Sequence, residues 1–550
     1  MDFHYAGDEL MHRHVRRAVI VGALAALAPL QQTRAARAEH GAPYDALVSL
    51  FRDWRAFQKA PLLNGAPDYS LRAMMLQQRA LPSWQRRLAA VDTTGWTIPQ
   101  RVDWQIVQAE MRGLEFDHRA RRPWATNPAF YVTVFAEQSD QPAREGPFAD
   151  GAIEVWAESL PLSAARADAM RARLRAIPVL LAQARTNLVG NGADLWKYAG
   201  SPLGDQSDVL KSLASKVPAD LAADVNRAKD ATDSFATWVA QQAPSKKGTS
   251  GVGIGNYTWY LKHVMLVPYT WAQEVTVMER ELARSHALLA LEEQRNSAQP
   301  LQVPLASESD HDRLFTQGVT DYMSFLRSRG IMTIRDDMEP ALRARTGGFA
   351  PGPREFFTEV DYRDPEVMRT HGFHWFDLAY AKNSPHASPI RRGPLLYNTF
   401  VTRTEGHATG WEEMMLAAGM FDAKPRSREL IYILLAERAA RALGDLRMHA
   451  NQMTLDEASA FASKYTPRNW LRLDGKLVFF EQHLYLQQPG YGTSYVIGKI
   501  QVEEILAARK QQLGDKFSMR EFMDTFTATG LIPASLVEWE MTGIAPRSAP

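Results

Sequence analysis

The sequence contains no cysteine among its 550 residues. Disulfides, thiolate metal ligands, a cysteine nucleophile and iron–sulfur clusters are therefore excluded. The H-E-x-x-H motif of zinc proteases is also missing, because no histidine in the chain is followed by glutamate. Any metal ion must consequently be bound by histidine, aspartate or glutamate side chains in another pattern.

The chain also lacks an excess of charge of either sign. Its 63 basic and 62 acidic residues leave a formal net charge of +1. This balance gives no reason to expect nucleic acid or an anionic membrane surface as a partner. A small molecule or a short peptide is the expected substrate, and the sequence leaves the oligomeric state open.

Long hydrophobic runs are limited to Ala18–Leu30, AVIVGALAALAPL. This run is shorter than the roughly 20 residues that a membrane-spanning helix needs. Basic residues precede it, and a small-x-small site follows at Ala36-Arg37-Ala38, which is typical of a cleaved export signal. We predict a signal peptide over residues 1–38, and a periplasmic or secreted mature protein without a membrane span. The pattern leaves open whether export follows the general or the twin-arginine route.

Hydrophobic residues make up 45% of the chain, enough to bury a large core. From Tyr44 onward they recur at three- and four-residue spacing, which predicts a mainly α fold. A link rich in proline and serine, 296–310, predicts a division into an N-terminal helical region, 39–300, and a C-terminal helical region, 301–550, that carries the site. The predicted helices are Tyr44–Ala60, Asp68–Ala80, Ser83–Ala90, Thr97–Arg119, Ala143–Glu158, Ser163–Val189, Ser207–Val217, Pro218–Gln242, Tyr257–Leu291, Asp310–Arg329 and Ser427–Ala450.

The candidate active centre lies between residues 366 and 415. His371, His374 and Asp377 follow one another at three-residue steps, which predicts one face of one helix. Glu405 and Glu412 are seven residues apart and would share a face of a second helix. Two such helices could direct imidazoles and a carboxylate at one divalent metal ion.

A structural interpretation of the same residues stays open beside the metal hypothesis. Thr402-x-x-Glu405 has the spacing of a capping box, in which both side chains bind backbone N–H groups at a helix start. His371 and His374, next to Phe373 and other aromatic residues, could instead be packed in an aromatic core.

Two further patterns follow downstream. Glu437, Arg441, Asp445 and His449 recur every four residues, which indicates either a solvated ladder of ion pairs or a site where Arg441 and His449 bind a substrate carboxylate. Tyr495 follows the Pro489-Gly490 break, at the predicted start of a helix that runs through Ala508. It could donate a hydrogen bond to an oxyanion or serve as a packing residue.

Four motifs in one order, TEGHATGWEEMM, RAARALGDLRMH, YLQQPGYGTSYVIGK and LGDKFSMREFMDTFTATGLIP, carry a family resemblance. From Asp103 to the C-terminus the chain resembles the bacterial family catalogued as domain of unknown function 885. Its members are mostly helical, often exported, and related in fold to gluzincin zinc metallopeptidases. The resemblance implies a large multi-helix fold with a catalytic cleft between helical halves, a bound zinc ion and a peptidase-like activity.

The resemblance also implies roles for individual residues. Typical members carry H-E-x-x-P-G-H-H-L-Q and then E-G-W-A-x-Y-x-E-E. Glu405 matches the glutamate that is the expected third zinc ligand, His407 replaces the tryptophan, and His374 falls on a motif histidine. Met368 and Arg369 stand where the leading His-Glu pair would be, so the usual first ligand and general base are missing.

The resulting hypothesis is an exported metal-dependent hydrolase that acts on a small peptide or amide. Its divalent metal, expected to be zinc, would be held by His371, His374 and Glu405. Two alternatives are a lyase or isomerase that uses the same pocket, and a periplasmic binding protein without catalysis. The predicted catalytic residues are Glu412 or Asp377 as the base and Tyr495 at the oxyanion, and the predicted substrate-binding residues are Arg441, Asp445, His449 and His407.

Overall fold

The computed structural model describes residues 42–546, and nearly all regular structure in that range is helical. The mainly α prediction is therefore confirmed. The predicted signal peptide lies outside the described residues. The helices are α1 Ala42–Phe57, α2 Leu71–Ala89, α3 Ile98–Phe116, α4 Pro123–Thr126, α5 Ala164–Asn187, α6 Ala193–Tyr198, α7 Gly200–Ala214, α8 Ala219–Gln242, α9 Ile254–Tyr260, α10 Trp271–Arg295, α11 Glu308–Arg329, α12 Met338–Arg343, α13 Phe356–Asp361, α14 Pro365–His371, α15 Phe373–Asn383, α16 Val401–Ala417, α17 Pro425–His449, α18 Leu455–Tyr465, α19 Leu477–Gln487, α20 Tyr491–Leu513, α21 Met519–Ala528 and α22 Ala534–Thr542.

Strands are few and short. β1, Leu62–Leu63, pairs antiparallel with β2, Ala66–Pro67, and β3, Val134–Phe135, pairs parallel with β4, Ile153–Glu154. Within residues 42–546 no helix is both long and apolar enough to cross a membrane.

The hydrophobic core has one large part and two smaller ones. The large part joins residues from both sides of residue 300, including Leu47 and Val102 from the first side and Leu443 and Ile497 from the second. One smaller part lies wholly between residues 66 and 239, around α5, α7 and α8. The division of the chain near residue 300 stays a prediction, although α10 packs against α17 across it.

The predicted helix Ala143–Glu158 is wrong. This stretch is an irregular segment that ends in β4 and one turn of 3-10 helix. Gly146 and Gly151 adopt positive φ angles of 113° and 92°, a backbone conformation that an α-helix cannot contain. Pro147, whose nitrogen cannot donate a hydrogen bond, adds a further break. The segment can therefore run across the surface of the C-terminal helices.

Several other helix boundaries also differ from the prediction, and α7, for example, begins at Gly200 rather than at Ser207. Asp68–Ala80 and Ser83–Ala90 form the single helix α2, which continues through Pro82. Tyr257–Leu291 is interrupted, because Leu266 has a left-handed backbone and α10 starts afresh at a capping box formed by Thr270 and Gln273.

Two glycines let α16 and α20 cross with their backbones in contact. A Cβ atom on Gly498 would overlap the carbonyl oxygen of Thr402, and one on Gly406 would overlap the backbone of Gly498. The crossing brings Glu405, next to Gly406, beside the first turn of α20. That helix begins at Tyr491 rather than at Tyr495, directly after Gly490, whose φ of 82° marks the predicted break.

Candidate metal centre

Three consecutive helices bring His371, His374 and Glu405 together. His371 is the last residue of α14, His374 lies in the first turn of α15, and Glu405 lies in α16. One potential ligand atom from each residue lies within 4.8 Å of the other two. The prediction that His371 and His374 share one helix is wrong, because α14 ends before Gly372 and a separate helix follows it. The bend brings the two rings to a centroid distance of 5.0 Å.

Two atoms of this cluster face each other without a hydrogen bond. Nε2 of His374 lies 3.3 Å from Oε2 of Glu405, and both side chains are almost fully buried. Neither atom has a hydrogen-bond partner among the described residues. Buried polar atoms without partners are costly and therefore rare. A divalent cation, which histidine nitrogen and carboxylate oxygen bind well, would satisfy both atoms.

The imidazole of His371 is oriented by Glu412. Nδ1 of His371 lies 2.9 Å from Oε1 of Glu412, whose two oxygens also accept hydrogen bonds from Arg438 at 2.7 Å each. A carboxylate can only accept, so Glu412 favours the tautomer with the proton on Nδ1, which leaves the Nε2 lone pair available. An Nη atom of Arg438 lies 3.1 Å from the same Nδ1 and can only donate, so it favours the opposite tautomer. Burial and the Arg438 charge lower the pKa of His371, which favours the neutral form that binds metals.

Oε1 of Glu405, the oxygen that does not face His374, is held by two residues that the sequence analysis did not identify. Gln141 donates from Nε2 at 2.9 Å, and Tyr491 donates from its hydroxyl at 2.8 Å, both to Oε1. Oε2 is left to face His374. Tyr491 lies four residues before Tyr495, so the periodicity of α20 could have indicated it. Nothing in the local sequence points to Gln141.

Negatively charged side chains around His374 stabilise its protonated form. Burial lowers the pKa of His374, but Asp140 and Glu405 outweigh burial and raise that pKa to about 9. Burial raises the pKa of Glu405, and the opposing charge of His374 lowers it to about 2. At neutral pH His374 and Glu405 therefore form a buried ion pair, and a metal ion that bound His374 would have to displace its proton.

The capping-box interpretation of Thr402 and Glu405 is wrong. Thr402 lies inside α16, which begins at Val401, and its hydroxyl accepts the backbone N–H of Ala534 at 3.3 Å. The Glu405 carboxylate instead contacts His374, Gln141 and Tyr491.

The two predicted bases are both held by arginines. Glu412 is paired with Arg438, and Asp377 accepts from Arg403 through both oxygens at 2.8 and 3.0 Å. All four side chains are buried. A base role for either carboxylate stays a prediction, and it would require a buried ion pair to open.

Tyr495 lies beside the cluster on α20. Its ring centroid is 6.1 Å from that of Tyr491 and 5.4 Å from the guanidinium carbon of Arg441. Burial and the Glu405 charge raise the pKa of Tyr495 well above its usual value, so the hydroxyl keeps its proton and can donate. Its role at an oxyanion stays a prediction.

The ladder on α17 is buried, so the interpretation as a solvated face is wrong. Nε of Arg441 lies 2.7 Å from Oε1 of Glu437, and its guanidinium also contacts Glu481. Asp445 accepts the backbone N–H of Gly492 at 2.9 Å and so fixes the start of α20.

The two remaining predicted residues are also used within the fold. Nε2 of His449 lies 3.0 Å from the carbonyl oxygen of Tyr485. His407 packs against Phe373 at a ring-centroid distance of 4.2 Å, and its Nδ1 lies 3.3 Å from Arg403. Substrate binding by Arg441, Asp445, His449 and His407 stays a prediction that these contacts do not support.

The comparisons with known proteins agree with the helical fold. A protein from Shewanella oneidensis, provisionally described as a lipoprotein of unknown function, has a solved structure with a TM-score of 0.66 and 16% identity, covering 91% of this chain and 98% of that chain. A second, from Colwellia psychrerythraea, has a TM-score of 0.61 and 15% identity, covering 91% and 99%. At these identities the likeness shows the fold alone. No curated protein sequence matches the chain.

The sequence also matches a family model. That family is described as "Bacterial protein of unknown function (DUF885)", and the match covers residues 374–541. Its first residue is His374, so the match includes Glu405, Tyr491 and the ladder on α17 but not His371. The candidate centre therefore lies largely within a segment similar to this bacterial family of unknown function.

Proposed function

We propose that this protein is a metal-dependent hydrolase, peptidase-like, that acts on a short peptide or another small amide. The observation that carries the proposal is the cluster of His371, His374 and Glu405, in which two buried ligand atoms face each other without hydrogen bonds. Two imidazoles and one carboxylate are a common donor set of catalytic zinc sites.

Each residue of the centre has a distinct task in this proposal. His371 and His374 would bind the cation through nitrogen and Glu405 through Oε2. Glu412 would orient His371, as outer carboxylates do for metal-binding histidines. The bound cation would supply Lewis acidity, which polarises a carbonyl group and lowers the pKa of water.

Gln141 and Tyr491 would position Glu405 by holding Oε1. Tyr495, whose ring centroid lies 6.1 Å from that of Tyr491, would donate a hydrogen bond to the carbonyl oxygen as negative charge develops on it. The small, nearly neutral net charge of the chain fits an uncharged or mixed-charge substrate. The export predicted from Ala18–Leu30 fits the description of the two structural neighbours as lipoproteins.

Metal content tests the proposal directly. Protein purified without chelator should contain about one zinc, cobalt or manganese ion per chain, and chelation should lower its melting temperature. His374→Ala should lose the metal. His286→Ala is the matched control, because His286 is exposed and lies far along the chain from the cluster.

Two results would overturn the proposal. The first is wild-type protein that stays free of metal after incubation with each of the three ions and shows no shift in melting temperature. The second is His374→Ala protein that binds the ion as tightly as the wild type does. The circular dichroism spectrum of each variant confirms that it is folded before metal is measured.

A further inference from the structure

The proposed hydrolase needs a group that accepts a proton from water, and the carboxylates predicted for that task are engaged. Glu412 is paired with Arg438 and Asp377 with Arg403. Each pair is buried and bidentate, so neither carboxylate is available to water without loss of an ion pair. The proton acceptor must therefore be sought elsewhere around the cluster.

A segment from the N-terminal region covers the cluster. Residues 136–150, which we call the covering segment, lie between β3 and β4 and reach α15 and α16. Gln141 of this segment accepts a hydrogen bond from Thr404 and donates one to Glu405. Its Nε2 also lies 3.5 Å from Nδ1 of His374. The covering segment is thus anchored on two of the three proposed ligands.

Glu145 of the covering segment approaches the same point. Its Oε1 lies 3.5 Å from the hydroxyl of Tyr491, and that hydroxyl donates to Glu405 at 2.8 Å. One hydroxyl group therefore separates Glu145 from a proposed ligand. Its other oxygen accepts a hydrogen bond from Ser139 at 2.7 Å, which fixes the orientation of the carboxylate.

Glu145 and its neighbour Asp140 differ from the arginine-paired carboxylates around the cluster because no cation forms an ion pair with either of them in the described part of the chain. No arginine, lysine or histidine forms an ion pair with Glu145 or Asp140 within the described part of the chain, whereas Glu437 and Glu481 both pair with Arg441. Burial, together with the Asp140 charge, raises the pKa of Glu145 to about 7. A carboxyl group of this kind can both take up and release a proton near neutral pH. The residue as a whole is half-buried, so part of it is exposed to solvent.

We propose that Glu145 is the proton-transfer residue of this enzyme, an inference that rests on the proposed hydrolase function. Its carboxylate takes one proton from a water molecule while the water oxygen forms a bond to the carbonyl carbon of the substrate. The carboxyl group then gives this proton to the amide nitrogen as the carbon–nitrogen bond breaks. The products are a carboxylic acid and an amine, and Glu145 ends as the carboxylate again.

In this proposal the base is not a residue of the His-Glu motif but comes from another part of the chain. Met368 and Arg369 stand at the motif positions. The carboxylate comes instead from a segment more than two hundred positions upstream of His374, in the part of the chain before the family match begins.

The experiment compares metal-loaded wild-type protein with Glu145→Gln and Glu137→Gln. Glu137 is an exposed residue of the same covering segment and serves as the matched control. A proteome-derived library of short peptides is incubated with wild-type protein, and new termini are identified by mass spectrometry. The best-cleaved peptide then gives kcat and KM for each variant, and metal content is measured on the same samples.

We expect Glu145→Gln to keep its metal and lose about 10²–10⁴-fold in kcat, the usual contribution of a general acid–base group. Glu137→Gln should match the wild type. Added formate should restore part of the rate in Glu145→Ala, because a small carboxylate can occupy the space of the missing one. A purely structural role of Glu145 would give no such rescue.

Several results would overturn the inference. Glu145→Gln protein with wild-type kcat shows that another group transfers the proton, and so does a loss of activity found in Asp140→Asn but not in Glu145→Gln. Loss of metal from Glu145→Gln makes the residue a ligand. These results leave the hydrolase proposal intact. Metal-loaded wild-type protein that cleaves no peptide of the library overturns the proposed function and this inference together.

Discussion

His371 and Glu412 come from two different helices, and Nδ1 of the imidazole lies 2.9 Å from Oε1 of the carboxylate. Arg438 holds both oxygens of Glu412, so the carboxylate has little freedom to turn. Nδ1 is engaged by Glu412 and Arg438, so Nε2 is the nitrogen left to bind a metal ion. This arrangement assigns Glu412 an orienting role in the proposed centre rather than the role of a base.

Glu412→Gln should weaken metal binding about 10–100-fold, the usual effect of removing an outer-shell carboxylate. The affinity can be measured by competition with a chromophoric chelator. Glu413→Gln is the matched control, because Glu413 pairs with Arg284 and Lys499 instead. An unchanged affinity in folded Glu412→Gln protein would contradict the orienting role. The unpaired Arg438 should also lower stability by about 3–5 kcal/mol, so folding is verified first.

The two tyrosines at the start of α20 should differ in their effect. Tyr491→Phe removes the hydroxyl that holds Glu405, so we expect weaker metal binding and a stability loss of about 0.5–1.5 kcal/mol. Tyr495→Phe should leave the metal affinity unchanged and lower kcat on a cleaved peptide. Titration with zinc and urea unfolding measure these effects. Equal metal affinity in both variants would show that Tyr491 does not position Glu405.

Gly498→Ala should disturb the crossing of α16 and α20. The added methyl group would overlap the carbonyl oxygen of Thr402, a backbone atom that cannot move aside without moving α16. Overpacking of this kind costs about 1–3 kcal/mol or more, and it should displace Glu405 and weaken metal binding as well. Gly204→Ala is the control, because no atom lies within contact distance of the added Cβ. Equal urea midpoints for both variants would disprove the close crossing.

His449 should make the fold sensitive to acid. Burial lowers its pKa from the ordinary value of 6.5 to about 4, so the folded protein keeps it neutral while the unfolded chain protonates it. The free energy of unfolding is therefore unaffected by His449 above pH 6.5. It decreases as the pH falls from 6.5 to 4, by up to about 3 kcal/mol, because only the unfolded chain takes up the proton. His118 and His483 act in the same direction.

Urea unfolding at several pH values measures this effect. His449→Gln should have a shallower decline of stability between pH 6.5 and 4 than the wild type, whereas His286→Gln, at an exposed position, should retain the wild-type slope. A wild-type slope in folded His449→Gln protein would show that His449 is not the group responsible.

The sequence alone determined the helical class, because the spacing of apolar residues is a local property that sets which helix face is buried. It also singled out His371, His374 and Glu405 as a candidate site, on their residue types, on the spacing of the two histidines and on the family resemblance, and left aromatic packing and a helix cap open for the same residues. Their proximity could be predicted although the single helix proposed for the two histidines was wrong. The bend at Gly372 only changed how the rings approach each other.

Only the tertiary structure decided the surroundings of the cluster. Glu405 and His374 contact Gln141, which lies 233 positions before His374, and no local pattern connects residues so far apart. The second half of the covering segment, from Ala143 onward, was even predicted as a helix, since its glycines reveal their positive φ angles only in the folded chain. The solvated or buried state of the α17 ladder was equally undetermined, because packing by distant helices decides whether a charged face meets water or other charges.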